Sequence, residues 1–307
     1  MKPSIRIGTR HSKLALWQSN HIAQLLQAHY PECEIILKKI TTTGDKVLDK
    51  PLAKIGGKGL FTKELEQELL DGTIDLAVHS LKDMPTKLPE NLCLTAITAR
   101  TSPSDVLVSN KYSHFADLPE GAILGTSSLR RQSQLLAARP DLKLVNLRGN
   151  VDTRLKKLDE GTLDGIILAE AGLTRLGHQD RISEILPHTL CLPAVGQGAL
   201  AIETRADNIT IRQALNFLND EDTALATTAE RAFLDLVNGG CQVPMGIYGQ
   251  VQGNFLHVDA VIATLDGATV LHDSIEGKKE DCHMLGLTLG KRMLNHGGRE
   301  ILAAILK

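Results

Sequence analysis

Aromatic residues are nearly missing from this chain: Phe, Tyr and Trp make up 3% of its 307 residues, with a single tryptophan. So few rings exclude a base-stacking surface, and nucleic acid is not an expected partner. Cysteine is sparse as well. Five thiols (Cys33, Cys93, Cys191, Cys241 and Cys282) are odd in number, dispersed and never in Cys-x-x-Cys spacing. That excludes a disulfide framework and a zinc site, and no metal is expected. No apolar run approaches the ~18 residues needed to cross a bilayer. The opening Met1-Lys2-Pro3-Ser4-Ile5-Arg6 has no apolar stretch after its charges, unlike an export signal. The expectation is a cytoplasmic protein that does not engage a membrane.

Net charge is also small, −2 overall, but it is unevenly spread. Residues 1–199 hold 25 Lys and Arg against 22 Asp and Glu, whereas residues 200–307 hold 9 against 14. The cations gather where the motifs lie. A chain of this length predicts two or three domains.

The first two-thirds alternate β-like runs with helical segments. Ile5–Gly8, Ile35–Leu37, Ile74–Val78 and Leu92–Thr98 read as strands, with helices from about Ser12 and from Thr62 to Leu70. A second series follows Thr101-Ser102-Pro103-Ser104. Its strands are Val106–Val108, Ala122–Leu124, Leu142–Val145 and Gly165–Leu168, with helices from about Ser128 and Val151 between them. The alternation predicts α/β layering with largely parallel strands. From about residue 222 a helix leads to Gly239-Gly240-Cys241. Three alternating strands then follow, turning at Gly253-Asn254 and Asp266-Gly267, which predicts a small α+β part.

The chemistry-bearing residues cluster at predicted strand ends, where open α/β sheets place their ligands. Arg10, Lys54, Lys58, Lys82, Arg130, Arg131, Arg148, Arg154 and Arg175 each sit at such an end, in a Gly-containing loop or at a helix start. Converging Arg forks suit a ligand with many carboxylates. Thr126-Ser127-Ser128 precede a helix and offer backbone N–H groups to an anion. Asp83, next to Lys82, could steady a cation forming on a substrate; its bland reading is a turn aspartate. Cys241 on its Gly-Gly loop is either apolar filler or an exposed thiol. A Cys–His catalytic pair has no histidine at diagnostic spacing, and His79 or His188 would be arbitrary choices.

Eight ordered motifs together resemble the porphobilinogen deaminase family. They are Arg10-x-Ser12-x-Leu14-Ala15, Gly56-Gly57-Lys58-Gly59-Leu60-Phe61-Thr62-Lys63-Glu64, Ala77-Val78-His79-Ser80-Leu81-Lys82-Asp83-Met84-Pro85, Gly125-Thr126-Ser127-Ser128-Leu129-Arg130-Arg131-Gln132, Leu147-Arg148-Gly149-Asn150-Val151-Asp152-Thr153-Arg154, Ala169-Glu170-Ala171-Gly172-Leu173-Thr174-Arg175-Leu176, Leu192-Pro193-Ala194-Val195-Gly196-Gln197-Gly198 and Asn238-Gly239-Gly240-Cys241. The resemblance runs from residue 4 to about 248. Lys13 departs from it, standing where many relatives have proline.

The resemblance implies a dipyrromethane cofactor, held by a thioether to Cys241 and made from two porphobilinogen units. Four further porphobilinogens join head to tail with loss of ammonia, and water releases hydroxymethylbilane. Asp83 is the implied catalytic residue. Carried residue by residue, the implied binding set is Arg10, Ser12, Lys54, Lys58, Ser80, Lys82, Thr126, Ser127, Ser128, Arg130, Arg131, Arg148, Arg154, Ala169, Gly172, Arg175 and Gln197. The implied fold is α/β, with two periplasmic-binding-protein-like lobes and a small α+β C-terminal domain. Its divisions are 1–99 with 196–218, 100–195 and 219–307, with loop 43–59 as a lid. A monomer acting on a small-molecule substrate is expected. The rival from another class is a two-lobed anion-binding protein without catalysis.

Overall fold

In the computed structural model, which describes residues 4–46, 62–237 and 243–305, the apolar runs become two five-stranded sheets and a third of three strands. Two units emerge, Met1–Arg100 with Ala199–Ala224 and Thr101–Gly198 with Leu225–Lys307. Elements are numbered in chain order.

The first unit contains β1 (Ser4–Thr9), α1 (Lys13–His29), β2 (Glu34–Lys39), α2 (Thr43–Lys46), α3 (Lys63–Leu70), β3 (Leu76–Ser80) and β4 (Leu92–Ile97). Its chain resumes with β10 (Leu200–Arg205) and α7 (Ile209–Leu215). The strand order is β2-β1-β3-β10-β4, and β10 runs antiparallel to both of its neighbours. One face carries Ile22 and Leu26 of α1 with Ile211 and Leu215 of α7, packed on Ile5, Ile7, Leu76 and Val78. The other face receives α3. Eight residues are too few for a stable isolated helix. Leu65 and Leu69, each contributing about 1.5–3 kcal/mol on burial, hold α3 against Ala77 and Leu92. Gly8 permits this closeness, because a Cβ there would lie 2.4 Å from Ile74 Cδ1 and 2.9 Å from Leu65 Cδ2.

The second unit repeats the plan with β5 (Asp105–Val108), β6 (Ile123–Gly125), α4 (Leu129–Ala138), β7 (Lys143–Val145), α5 (Val151–Asp159), β8 (Gly165–Ala169), α6 (Glu170–Arg175) and β9 (Glu184–Ile185). Its order is β7-β6-β8-β5-β9, with β5 antiparallel to its neighbours. Both sheets therefore share one order, second-first-third-inserted-fourth, although no sequence repeat announces it. Both are largely parallel, as expected, with only the inserted strand running the other way. The reason is that β5 and β10 lie where the chain passes from one unit to the other.

The same unit includes α8 (Glu221–Leu236) from Leu225 onward, the antiparallel β11 (Met245–Gln252), β12 (Phe255–Ala263) and β13 (Val270–Lys278), and then α9 (Cys282–Met293) and α10 (Arg299–Ile305). Phe233 of α8 and Leu289 of α9 are fully buried with Ile247, Val258 and Ile262. Glu230, also fully buried, accepts from Gly196 N–H at 2.7 Å and from Gly249 N–H at 2.9 Å. No described helix is long and apolar enough to cross a membrane.

Candidate active site

The first unit gathers polar groups at the carboxyl ends of β1 and β3. Ser12 caps α1, its hydroxyl accepting from Ala15 N–H at 3.3 Å. Gln18 Nε2 on the same helix donates to Ser80 Oγ at 2.8 Å, which ties α1 to the end of β3. Leu81 then turns fully inward, and its N–H donates to Ala199 O at 3.0 Å. That anchor leaves Lys82 half-buried and Asp83 exposed on a short 3-10 turn. Arg10, Ser12, Gln18, Thr62, His79, Ser80 and Asp83 line one concave pocket. Of the residues expected here, Arg10, Ser12, Ser80 and Asp83 are brought together. Lys54 and Lys58 lie outside the described residues, as does loop 43–59 beyond α2.

The second unit holds a cationic group in the segments that follow β6 and β7. Ser128 caps α4, accepting from Arg131 N–H at 3.4 Å, and Asn150 caps α5, accepting from Thr153 N–H at 2.9 Å. Arg148 is half-buried, and its Nη1 is buried without a hydrogen-bond partner among the described residues. Arg154 Nε donates to Gly149 O at 2.8 Å. Burial first, then the charges of Arg131 and Arg148, push the Arg154 guanidinium down to about 10. Arg154 thus stands within reach of two further cations. Ser127, Ala169 and Gly172 are half-buried, and a Cβ on Gly172 would meet nothing closer than Val151 at 3.9 Å, leaving room there.

Several expected ligand-binding side chains are instead committed to the fold. Arg130 Nη1 lies 2.5 Å from Asp105 Oδ2 and donates to Leu192 O at 2.7 Å. Arg131 Nη2 lies 2.7 Å from Asp105 Oδ1, and its Nη1 donates to Ile167 O at 2.8 Å. Gln197 Nε2 donates to the same Asp105 Oδ1 at 2.9 Å and to Pro103 O at 2.6 Å. The Thr126 hydroxyl is fully buried and accepts from Ser128 N–H at 3.2 Å. Arg175 is 9% exposed and donates to Gly198 O at 2.6 Å; burial pushes it down to about 10. The reason is shared: each polar group was taken out of water by folding, and a buried polar group is retained only with partners. Arg130, Arg131, Gln197 and Thr126 are thus each anchored within the second unit, and the Arg131 charge reaches Arg154.

Asp105 is the residue that sequence reasoning missed. It is fully buried and holds Arg130, Arg131 and Gln197, and Cys191 Sγ donates to it at 3.3 Å. The available signal was an acid opening the otherwise apolar Val106–Val108 strand. Cys241 lies outside the described residues; the described cysteines are free thiols, with Cys33, Cys191 and Cys282 buried.

Comparison with known proteins completes the description. Residues 5–213 match the family model described as porphobilinogen deaminase, dipyromethane cofactor binding domain, and residues 224–295 match the porphobilinogen deaminase C-terminal domain. A porphobilinogen deaminase from Geotalea uraniireducens is 52% identical over 98% of this chain and 95% of its own. One from Geobacter sulfurreducens is 53% identical over 98% and 94%. Among solved structures, a nutrient binding protein from Burkholderia cenocepacia bound to methionine is 14% identical, with a TM-score of 0.44 over 69% of this chain and 90% of that one.

Proposed function

The chain belongs to the porphobilinogen deaminase family, and on that premise we propose how its residues divide the work of joining four porphobilinogens head to tail and releasing hydroxymethylbilane. The enzyme is a transferase that loses ammonia at each addition, and its cofactor is dipyrromethane. The non-catalytic anion-binding alternative gains nothing from these relatives.

The residues of the second unit fit a group bearing several carboxylates. The observation that carries this is Arg148 Nη1, buried and without a hydrogen-bond partner among the described residues, within reach of the Arg154 guanidinium. An unsatisfied buried donor costs about 1–3 kcal/mol, more when charged. A carboxylate there removes that cost and screens the mutual repulsion. When bound, the cofactor supplies the ring carbon on which the pyrrole chain is built. Arg148 and Arg154 hold its carboxylates, Arg131 adds charge from behind, and Ser127 and Ser128 donate hydrogen bonds. Cys241 is the covalent tether. In the first unit, Arg10 and Lys82, with Lys54 and Lys58, take the acetate and propionate of the substrate. Asp83 faces the pyrrole N–H and stabilises the positive charge that develops as the amino group leaves. A hydrogen bond to a charged group contributes about 1.5–3 kcal/mol even in ordinary settings. The working divisions are 1–99 with 196–218, 100–195 and 219–307, in a cytoplasmic monomer.

Intact mass and turnover test this reading together. The purified enzyme is expected to carry a fixed dipyrromethane increment that Cys241→Ser abolishes. Asp83→Asn is expected to keep the increment and lose at least about a hundredfold in kcat. An active enzyme with the bare polypeptide mass would overturn the tether. Near-normal turnover by Asp83→Asn would overturn the role of Asp83.

A further inference from the structure

Behind the pocket of the first unit lies a buried acid–imidazole cluster to which the roles above assign no task. His79 stands at the end of β3, directly before Ser80, and lines the same pocket as Asp83. Its Nε2 is 3.0 Å from Glu203 Oε2, with the two side chains 5% and 0% exposed. The sheet register dictates this pair. Glu203 is opposite Ala77 in the antiparallel β3–β10 ladder, which makes His79 its diagonal neighbour on the same face. Glu66, on α3 over that face, is buried too; burial pushes its carboxyl up against the opposing influence of the Thr62 hydroxyl, and the Glu203 charge adds to the rise. Glu66 Oε1 and Glu203 Oε1 have no hydrogen-bond partner among the described residues.

The surroundings offer little else to balance charge. Charges that reach Glu66 come from His79 on β3, Glu203 on β10 and Glu64 on α3 itself. From β1, Arg6 is committed to Asp75 at 3.0 Å, and Arg10 stands at the pocket. From β4 the neighbour is apolar Leu92. Two carboxylates cannot both stay charged in so dry a place without a proton between them.

We propose that Glu66, His79 and Glu203 form a proton store for the condensation, exchanging one proton with the pocket at Asp83. The inference rests on the reaction assigned above. Joining two pyrroles through one carbon breaks a C–N bond and a ring C–H bond. The nitrogen departs with the C–N electron pair and takes up a proton to leave as ammonia. The C–H pair returns to the ring, and its proton is shed. Each addition therefore draws one proton and returns one. In this arrangement the Nε2–H tautomer of His79 donates to Glu203, 3.0 Å away, and Nδ1 is left to accept. The three are positioning residues that act through the pocket, not groups placed against the substrate.

The test uses the full-length holoenzyme. Glu66→Gln keeps the shape of the side chain but has no proton to release. The expected result is unchanged cofactor mass, Tm and KM, with kcat lower by about a hundredfold. The alkaline limb of the kcat profile, where a proton donor is lost as pH rises, is expected to disappear. Glu66→Asp recovers part of the rate. Independently of turnover, ¹⁵N NMR is expected to show His79 protonated at Nε2, with its ring resonances moved by Glu66→Gln and by Glu203→Gln. A Glu66→Gln profile superimposable on the parent, with an unmoved His79 resonance, overturns the proposal. So does a rate loss that tracks a fall in Tm and is not rescued by Glu66→Asp. If Glu66→Gln does not fold, Glu203→Gln decides by the same readouts. Wild-type turnover by Asp83→Asn would instead indict the assigned reaction site, and the His79 resonances would then judge the cluster alone.

Discussion

Replacing Asp105 with asparagine asks whether the second unit is held together by one buried charge. The change keeps the shape but leaves Arg130 and Arg131, at 2.5 and 2.7 Å, facing a neutral amide. Removing one partner from a buried ion pair costs about 3–5 kcal/mol, because the remaining charge is uncompensated. In a unit of about 180 residues, each kcal/mol moves Tm by about 2–4 °C. The expected fall is thus about 6–20 °C, read by calorimetry at pH 7 on the transition of that unit. Acid adds a second signature. Burial would raise the Asp105 carboxyl, but the Arg130 and Arg131 charges overcome it and hold the group well below the usual carboxylate range. On acidification the unfolded chain, with its aspartate near 3.9, takes up the proton first. The stabilisation is therefore complete above about pH 4 and is lost as pH falls below it. The asparagine variant has none to lose, so the gap between the two proteins is expected to narrow in that range. A variant within about 2 °C of the parent at pH 7, or a gap unchanged down to pH 3, would refute the reasoning.

Arg148→Ala is expected to lower the fraction of protein carrying the cofactor mass. In a Cys241→Ser background the same change should leave Tm equal or higher, since an unpartnered buried nitrogen is removed; a drop of several degrees would count against it. Burial, helped by the Asp105 charge, pushes the Cys191 thiol up to about 12. Maleimide at pH 8 should spare Cys191 in the folded protein and label it only after unfolding, as peptide mapping would report. Gly286→Ala would place a Cβ 2.1 Å from Ala229 O, so α8 and α9 must part. Denaturant unfolding should show a loss of about 1–3 kcal/mol.

How much of this was legible in the sequence depended on whether a feature is local. Ser12 and Ser128 read as helix starts because such a start is decided within four residues, and each is found capping its helix. β10 was not anticipated, since Leu200-Ala201-Ile202-Glu203-Thr204-Arg205 earns its place only between β3 and β4. Buried Glu203 breaks the apolar pattern there because its partner is His79, 124 residues earlier. The Asp105 contacts of Arg130 and Arg131 were hidden for a related reason. Spacing places them in the first turn of α4 but says nothing of direction, and cations are unfavourable at a helix N-terminus. That local conflict was itself a hint that an acid elsewhere, Asp105, compensates. Arg148 and Arg154 differ from them in having no acidic partner among the described residues.

The interleaved strand order has a consequence for synthesis. β4 meets the first sheet only through β10, which leaves the ribosome about 100 residues later. At about 5–20 residues per second, that is a wait of roughly 5–20 s with β3 and β4 lacking their common neighbour. The second sheet faces no such delay, since its inserted strand, β5, is the first of its strands to be made. Translation therefore begins one lobe first and completes the other first. Exposed strand edges during that interval, rather than any weakness of the finished protein, make residues 76–97 the segment in greatest need of protection by a chaperone.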